Sequence, residues 1–207
     1  AVADDGFCVG TTCYGIIGQR EYGPHGEVVA QGLPASDRFQ IKCGANHCCG
    51  YQFDSTTLHC WGDNNYLQLG SMNPQAAGPN DIHMVSNING LALGDRHTCF
   101  TTRDDNNLMQ TFCLGDDSMN QLGNPDRPNG MNWQPYATMY DTRTPFEGSV
   151  LLFGGHHHSC IFGQTRYPGL YCWGNNSVGQ TGRPRSEQSA QPNYQVPGEL
   201  NTPEHSN

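Results

Sequence analysis

The sequence predicts an all-β protein: a propeller-like array of about four blades, each stapled by a disulfide, closed on itself or completed by a neighbouring subunit. Three observations predict it. Gly and Pro, 26 and 13 of 207 residues, punctuate the chain throughout, and no segment holds a helical period. Eight of the ten cysteines recur in pairs at a common phase. The chain also superposes on itself, and repeats of roughly 40–50 residues built from short strands are the mark of propeller blades.

Three segments carry the repeat most clearly: Cys43 to Gly70, Leu93 to Gly123 and Gly154 to Gly182. They share Gly-x-x-His-x-Cys, a variable stretch, then Cys-aromatic/Leu-Gly-x-Asn/Asp and a closing Gln-x-Gly. The anchor cysteines are Cys49, Cys99 and Cys160, and the second cysteines are Cys60, Cys113 and Cys172. A shorter copy opens the chain. Ala1 to Val9 aligns on Ala92 to Phe100 and places Cys8 on Cys99, while Cys13-Tyr14-Gly15 falls on Cys60-Trp61-Gly62. In that copy Gly6 stands where the others have His. The whole chain, 1–207, reads as one domain with repeats at roughly 1–38, 39–90, 91–148 and 149–200 and a tail at 201–207.

The elements follow in order. Short apolar runs bounded by Gly read as buried strands: Phe39-Gln40-Ile41, Leu91-Ala92-Leu93 and Val150 to Phe153 before the anchors, Leu58 to Trp61 and Leu170 to Trp173 around the second cysteines. Turn residues such as Asp104-Asp105-Asn106-Asn107 and Pro168-Gly169 separate them, so each cysteine pair brackets a hairpin. Repeat phase then pairs Cys8 with Cys13, Cys49 with Cys60, Cys99 with Cys113 and Cys160 with Cys172. Cys43 and Cys48 remain to join each other. Ten cysteines allow many other connectivities on sequence alone.

Composition excludes several functions. Asp and Glu outnumber Lys and Arg by 19 to 10, a net charge of −9, whereas nucleic-acid binding draws on a basic face. No run approaches the ~18 apolar residues of a membrane helix. So many cysteines suit an oxidising, extracellular setting. The opening Ala1-Val2-Ala3-Asp4 suits a mature secreted chain after signal-peptide removal. Asn175-Asn176-Ser177 is an N-glycosylation sequon, which marks Asn175 as a candidate carbohydrate site.

Chemistry-bearing clusters are few. On a strand His156 and His158 would share a face and suit a metal, yet His158 is also the repeat's own His, matching His47 and His97. Such a His is expected to pack and hydrogen-bond within its blade, so no metal or cofactor is expected. Asp63, Asp116 and Asp117 sit where turns favour them for backbone reasons. Trp61, Trp173 and Tyr14 recur at one repeat position, where Leu114 also occurs, and read as packing residues between blades. No phosphate loop, nucleophile elbow or paired carboxylate stands out, so an enzyme is not expected. The stretch from Asn124 to Gly148 reads as a long loop. It carries Trp133, Tyr136, Tyr140 and Phe146, the candidate interaction residues.

The frame as it stands in Gly94-Asp95-Arg96-His97-Thr98-Cys99, in Cys60-Trp61-Gly62-Asp63-Asn64 with Gln68-Leu69-Gly70, and in Cys172-Trp173-Gly174-Asn175-Asn176 with Gly179-Gln180 resembles the regulator of chromosome condensation repeat in its secreted, cysteine-bearing form. The resemblance covers most of the chain and implies a β-propeller of about seven blades used as a binding platform; four copies depart from that number. Nuclear members of that family act as exchange factors on a small GTPase and contact chromatin, an activity of reducing compartments that is not expected here. The expected function is a secreted, non-enzymatic interaction or assembly module, the self-associating subunit of an extracellular fibre or surface structure. Association is expected through the terminal strands, with Ala1 to Ala3 completing the blade that holds Tyr194 to Val196. The alternative is a propeller that binds a foreign protein, inhibitor-like, or a glycan through one face.

Overall fold

The computed structural model describes residues 39–74, 80–105, 108–123, 150–163 and 169–182, together with the backbone of 131–137, 146–147 and four two-residue strands nearer the N-terminus. Every regular element among them is a strand. The short ones are β1 (Cys8–Val9), β2 (Thr12–Cys13), β3 (Glu21–Tyr22) and β4 (Val28–Val29). A four-stranded antiparallel sheet, sheet I, follows: β5 (Phe39–Cys43), β6 (His47–Gln52), β7 (Thr57–Gly62) and β8 (Asn80–His83). Sheet II contains β9 (Asn87–Leu93), β10 (His97–Arg103), β11 (Leu108–Asp116) and β12 (Met131–Ala137), and β13 (Phe146–Glu147) also pairs with β11. Sheet III is β14 (Val150–Gly154), β15 (His158–Gly163) and β16 (Gly169–Gly174). Strands meander in chain order, as in a blade, and the boundary expected between 90 and 91 falls inside β9.

Disulfides join residues that the registers place opposite each other: Cys43–Cys48 across β5 and β6, Cys49–Cys60 across β6 and β7, Cys99–Cys113 across β10 and β11, and Cys160–Cys172 across β15 and β16. Their Cα atoms lie 4.1–4.2 Å apart. That separation belongs to the close, non-hydrogen-bonded pairs of an antiparallel ladder, where two Cβ atoms can approach. No described cysteine is free. Cys8 faces Cys13 in the β1–β2 register, and a bridge between them lies outside the described residues.

One expectation is corrected here. The stretch from 124 to 148 is not a structureless loop: Trp133 and Tyr136 lie on β12 and Phe146 on β13, while Tyr140 is outside the described residues. Pro135 argues against a strand on sequence grounds, but a proline is tolerated on an edge strand, and β12 is one. A register shift between Cys113 and Gly115 lets β12 pair around the irregularity.

The core lies between sheets. Because side chains alternate, each sheet has a trailing face toward the preceding sheet and a leading face toward the next. Cys49, Tyr51, Leu58 and Cys60 on the leading face of sheet I pack in one buried cluster with Leu91, Leu93, Phe100 and Leu114 of sheet II. Cys99, Met109, Cys113 and Leu122 of sheet II pack likewise with Ile161 and Trp173 of sheet III. Inner strands meet where the repeat has its first Gly. A Cβ on Gly44 would collide with the Gly94 carbonyl oxygen, and one on Gly94 would lie 2.6 Å from that of Gly155. Only glycine permits backbones to approach so closely, which explains why that position opens every Gly-x-x-His-x-Cys.

Candidate interaction site

The second, third and fourth repeats close with one turn, built the same way three times. Asn64, Asp117 and Asn176 use Oδ1 to accept the backbone N–H of Leu69, Leu122 and Thr181, at 2.9, 2.9 and 3.1 Å. Gln68, Gln121 and Gln180 use Oε1 to accept the N–H of Tyr66, Met119 and Val178, at 2.9, 2.7 and 2.9 Å. Before them Asp63, Asp116 and Asn175 accept from Asn65, Ser118 and Ser177 in Asx turns. The Asx acceptor thus explains why Asn175 belongs to the frame whatever its fate as a sequon.

These turns present the Gln carbonyls to the next sheet. His47 Nε2 lies 2.8 Å from Thr98 Oγ1, and Thr98 Oγ1 donates to the Gln68 carbonyl at 2.9 Å. With its proton directed at Gln68, the hydroxyl accepts from His47, so His47 carries its proton on Nε2. The arrangement repeats one blade later: His97 Nε2 lies 2.8 Å from Ser159 Oγ, which donates to the Gln121 carbonyl at 3.5 Å. Trp173 Nε1 donates to the same carbonyl at 2.9 Å. The hydroxyl of the following sheet is therefore clamped between a His and a turn carbonyl of the preceding one. This corrects the expectation that the repeat His bonds within its own blade: it reaches forward into the next.

Both imidazoles are wholly buried, and burial, helped by neighbouring imidazoles, lowers each pKa to about 3. They are neutral in the folded protein, and their Nδ1 atoms have no hydrogen-bond partner. Asp117 is the outlier among the turns. Burial is the main cause that raises its pKa to about 7, against the Leu122 N–H, and Asp116 adds to the rise. Its Oδ2 has no partner. In Asn64 the matching atom is Nδ2, which donates to the carbonyls of Ser71 at 3.0 Å and Asn73 at 2.7 Å.

His156 and His157 precede β15, in the turn after β14, so the strand face that a His156–His158 metal pair would need does not exist. His156 instead places Nδ1 2.6 Å from Asp95 Oδ2, and its carbonyl accepts the Asp95 N–H. Among the described residues no three His, Cys, Asp or Glu side chains converge as a metal site. Arg96 lies 4.3 Å over the Tyr66 ring, and a shallow groove of ≈ 180 Å³ opens among Phe53, Asn87, Arg103 and Asp105.

The leading face of sheet III differs from the other two. Registers place Leu151 and Phe153 beside Phe162 and Cys160 there. Leu151 is 57% exposed, Phe153 50% and Phe162 43%. The corresponding Ala92 and Thr101 of sheet II are covered by sheet III. His158, third of the repeat histidines, is half-buried and meets no hydroxyl among the described residues. Sequence reasoning missed this face. The signal was present in Leu151, Phe153 and Phe162, which stand where sheet II has Gly90, Ala92 and Thr101.

The sequence matches no family model. The fold does have likenesses among solved structures. Yeast RCC1 (Prp20), in a complex with Kap60, superposes with a TM-score of 0.56 at 20% identity, covering 73% of this chain and 35% of that one. Prp20p of Saccharomyces cerevisiae, in a structure described with its binding properties to Gsp1p and histones, gives 0.54 at 17% identity over 76% and 36%. Human WBSCR16 gives 0.53 at 20% identity over 75% and 40%. The fold is of the RCC1-like β-propeller type, and the chain spans between a third and two-fifths of these neighbours' lengths.

Proposed function

We propose that the chain is a secreted, non-enzymatic β-propeller interaction module and a self-associating subunit of an extracellular assembly. The observation that carries this reading is the open leading face of sheet III. Among the described residues, a blade surface of the kind that is sealed twice within the chain is left about half exposed, with three large apolar side chains on it. Contiguous apolar exposure of this sort marks interaction surfaces. Extracellular placement is supported by a cross-strand bridge in each of the three sheets and an extra one in sheet I. The solved neighbours lend support as well, since Prp20 is described with Kap60, Gsp1p and histones as its partners. A second reading, capture of a foreign protein or a glycan, draws on the aromatic residues gathered on β12 and β13. Sedimentation and electron microscopy of the purified, oxidised chain separate the two. Concentration-dependent oligomers or fibres support self-association. A monomer at every concentration refutes it and leaves the second reading.

A further inference from the structure

We propose that the Cys43–Cys48 bridge is a thiol-exchange site, opened by a small thiol of the glutathione class that attaches to Cys43 while the fold stands. The proposal does not draw on the self-association reading. Of the four described bridges, three join the anchor cysteine of a repeat to its second cysteine: Cys49–Cys60, Cys99–Cys113 and Cys160–Cys172. Cys43–Cys48 stands outside that frame, in the hairpin between β5 and β6. Access sets it apart. Cys49, Cys60, Cys99 and Cys113 are wholly buried, Cys172 is buried and Cys160 partly so, whereas Cys43 is exposed. Exchange begins when a thiolate reaches a bridge sulfur, so exposed bridges are the labile ones. Cys48 is buried, which directs the attack to Cys43.

The hairpin holds its shape by other means. Cys43 and Cys48 face each other in the β5–β6 register, and the matching pairs are Leu93 with Thr98 in sheet II and Gly154 with Ser159 in sheet III. Those two hairpins close with no sulfur at that step. All three are held by the same turn bond, in which Gly44, Gly94 and Gly155 donate N–H to the carbonyls of His47, His97 and His158 at 2.8, 2.9 and 2.8 Å. Beyond the turn, the β5–β6 ladder runs on from Lys42 paired with Cys49 to Phe39 paired with Gln52. The bridge also closes the shortest loop of the four described, a separation of 5 residues against 11, 12 and 14, so its opening frees the least chain.

The chemistry runs in two steps. A thiolate attacks Cys43 Sγ, a new sulfur–sulfur bond forms there, and the Cys43–Cys48 bond breaks; Cys48 leaves as a thiolate and takes a proton from solvent. A second thiolate attacks the outer sulfur of this mixed disulfide. The oxidised small thiol departs, and Cys43 is left as a thiolate that is protonated in turn. Two electrons pass from the pair of small thiols to the protein. Opening gives sheet I the unbridged hairpin of sheets II and III, with a thiol at the position where they carry Thr98 and Ser159.

Timed reduction of the full oxidised chain tests the proposal. The protein is held with reduced glutathione at mildly alkaline pH without denaturant, quenched with acid, alkylated with N-ethylmaleimide and peptide-mapped. Cys43 and Cys48 should be labelled at least about tenfold faster than the cysteines of the other three described bridges, while near-ultraviolet circular dichroism stays that of the oxidised protein. Opening no faster than those three, or opening only as the spectrum is lost, overturns the proposal. Two single variants locate the attacked sulfur. With oxidised glutathione, Cys48→Ser should take the adduct on Cys43 at least about tenfold faster than Cys43→Ser takes it on Cys48; equal rates or the reverse order refute the assignment. The double variant Cys43→Ser with Cys48→Ser should form the other three described bridges and keep the wild-type spectrum. Its failure to fold would make the bridge a structural one and overturn the site.

Discussion

Replacing Asp117 with Asn should stabilise the protein, by an amount that grows with pH. Asp117 occupies a turn position held by Asn64 and Asn176 in the neighbouring repeats, is buried, and has an Oδ2 with no partner. Its carboxyl is raised from 3.8 to about 7. A raised carboxyl binds its proton more tightly in the folded than in the unfolded state. The stability tied to that proton is fully present below about pH 4 and is lost as pH climbs through about 7. The interval corresponds to roughly 4 kcal/mol at the upper limit, at about 1.4 kcal/mol per pKa unit, and relaxation of the buried carboxylate brings the expected effect to about 2–4 kcal/mol at pH 8. The introduced amide has no proton to lose, and its Nδ2 would donate as that of Asn64 does. Variant and wild type should unfold alike near pH 4 and differ by roughly 4–15 °C at pH 8 for a chain of this size. Calorimetry from pH 4 to 8 with the disulfides intact is the assay. An offset that is the same at every pH, or none at pH 8, refutes the reasoning.

Other outcomes follow from the same geometry. Thr98→Val keeps the shape but strips His47 Nε2 and the Gln68 carbonyl of their shared partner, so denaturant titration should show a loss of about 2–3 kcal/mol. Gly94→Ala should cost about 3 kcal/mol, because the new Cβ would meet the His97 ring and the Gly155 carbonyl; a variant as stable as wild type in the same titration would refute the close approach. Removing the Cys49–Cys60 bridge with a double Ala substitution should cost roughly 2–3 kcal/mol, read as a lowered melting midpoint. Leu67 holds a left-handed φ of 64° where sheet III has Gly179, so Leu67→Gly should raise stability by about 0.5–1 kcal/mol in thermal unfolding.

The sequence made the blade legible because the blade is written in short-range signals. Cysteine phase located the cross-strand bridges, and Gly62, Gly115 and Gly174, at φ values of 103–114°, mark where each hairpin turns against the residue before the His. What joins blades was far less visible. Thr98 meets His47 and Ser159 meets His97 across 51 and 62 residues, and a hydroxyl after a His signals nothing until the two are seen to face each other. The strand at 131–137 was hidden by Pro135, because edge placement is decided by the sheet and not by the local sequence. The exposed face of sheet III escaped notice for a related reason. Leu151, Phe153 and Phe162 look like ordinary core residues when read along the chain, and only their register shows that they share one partly exposed side.

The forward reach of the histidines gives synthesis a direction. As the nascent chain leaves the ribosome, His47 emerges with no lid and waits for Thr98, and His97 waits in turn for Ser159. A ribosome that stalls midway leaves its last completed blade with an imidazole that can still take a proton. Folding in chain order would therefore close a series of latches, each one shut by what is translated after it.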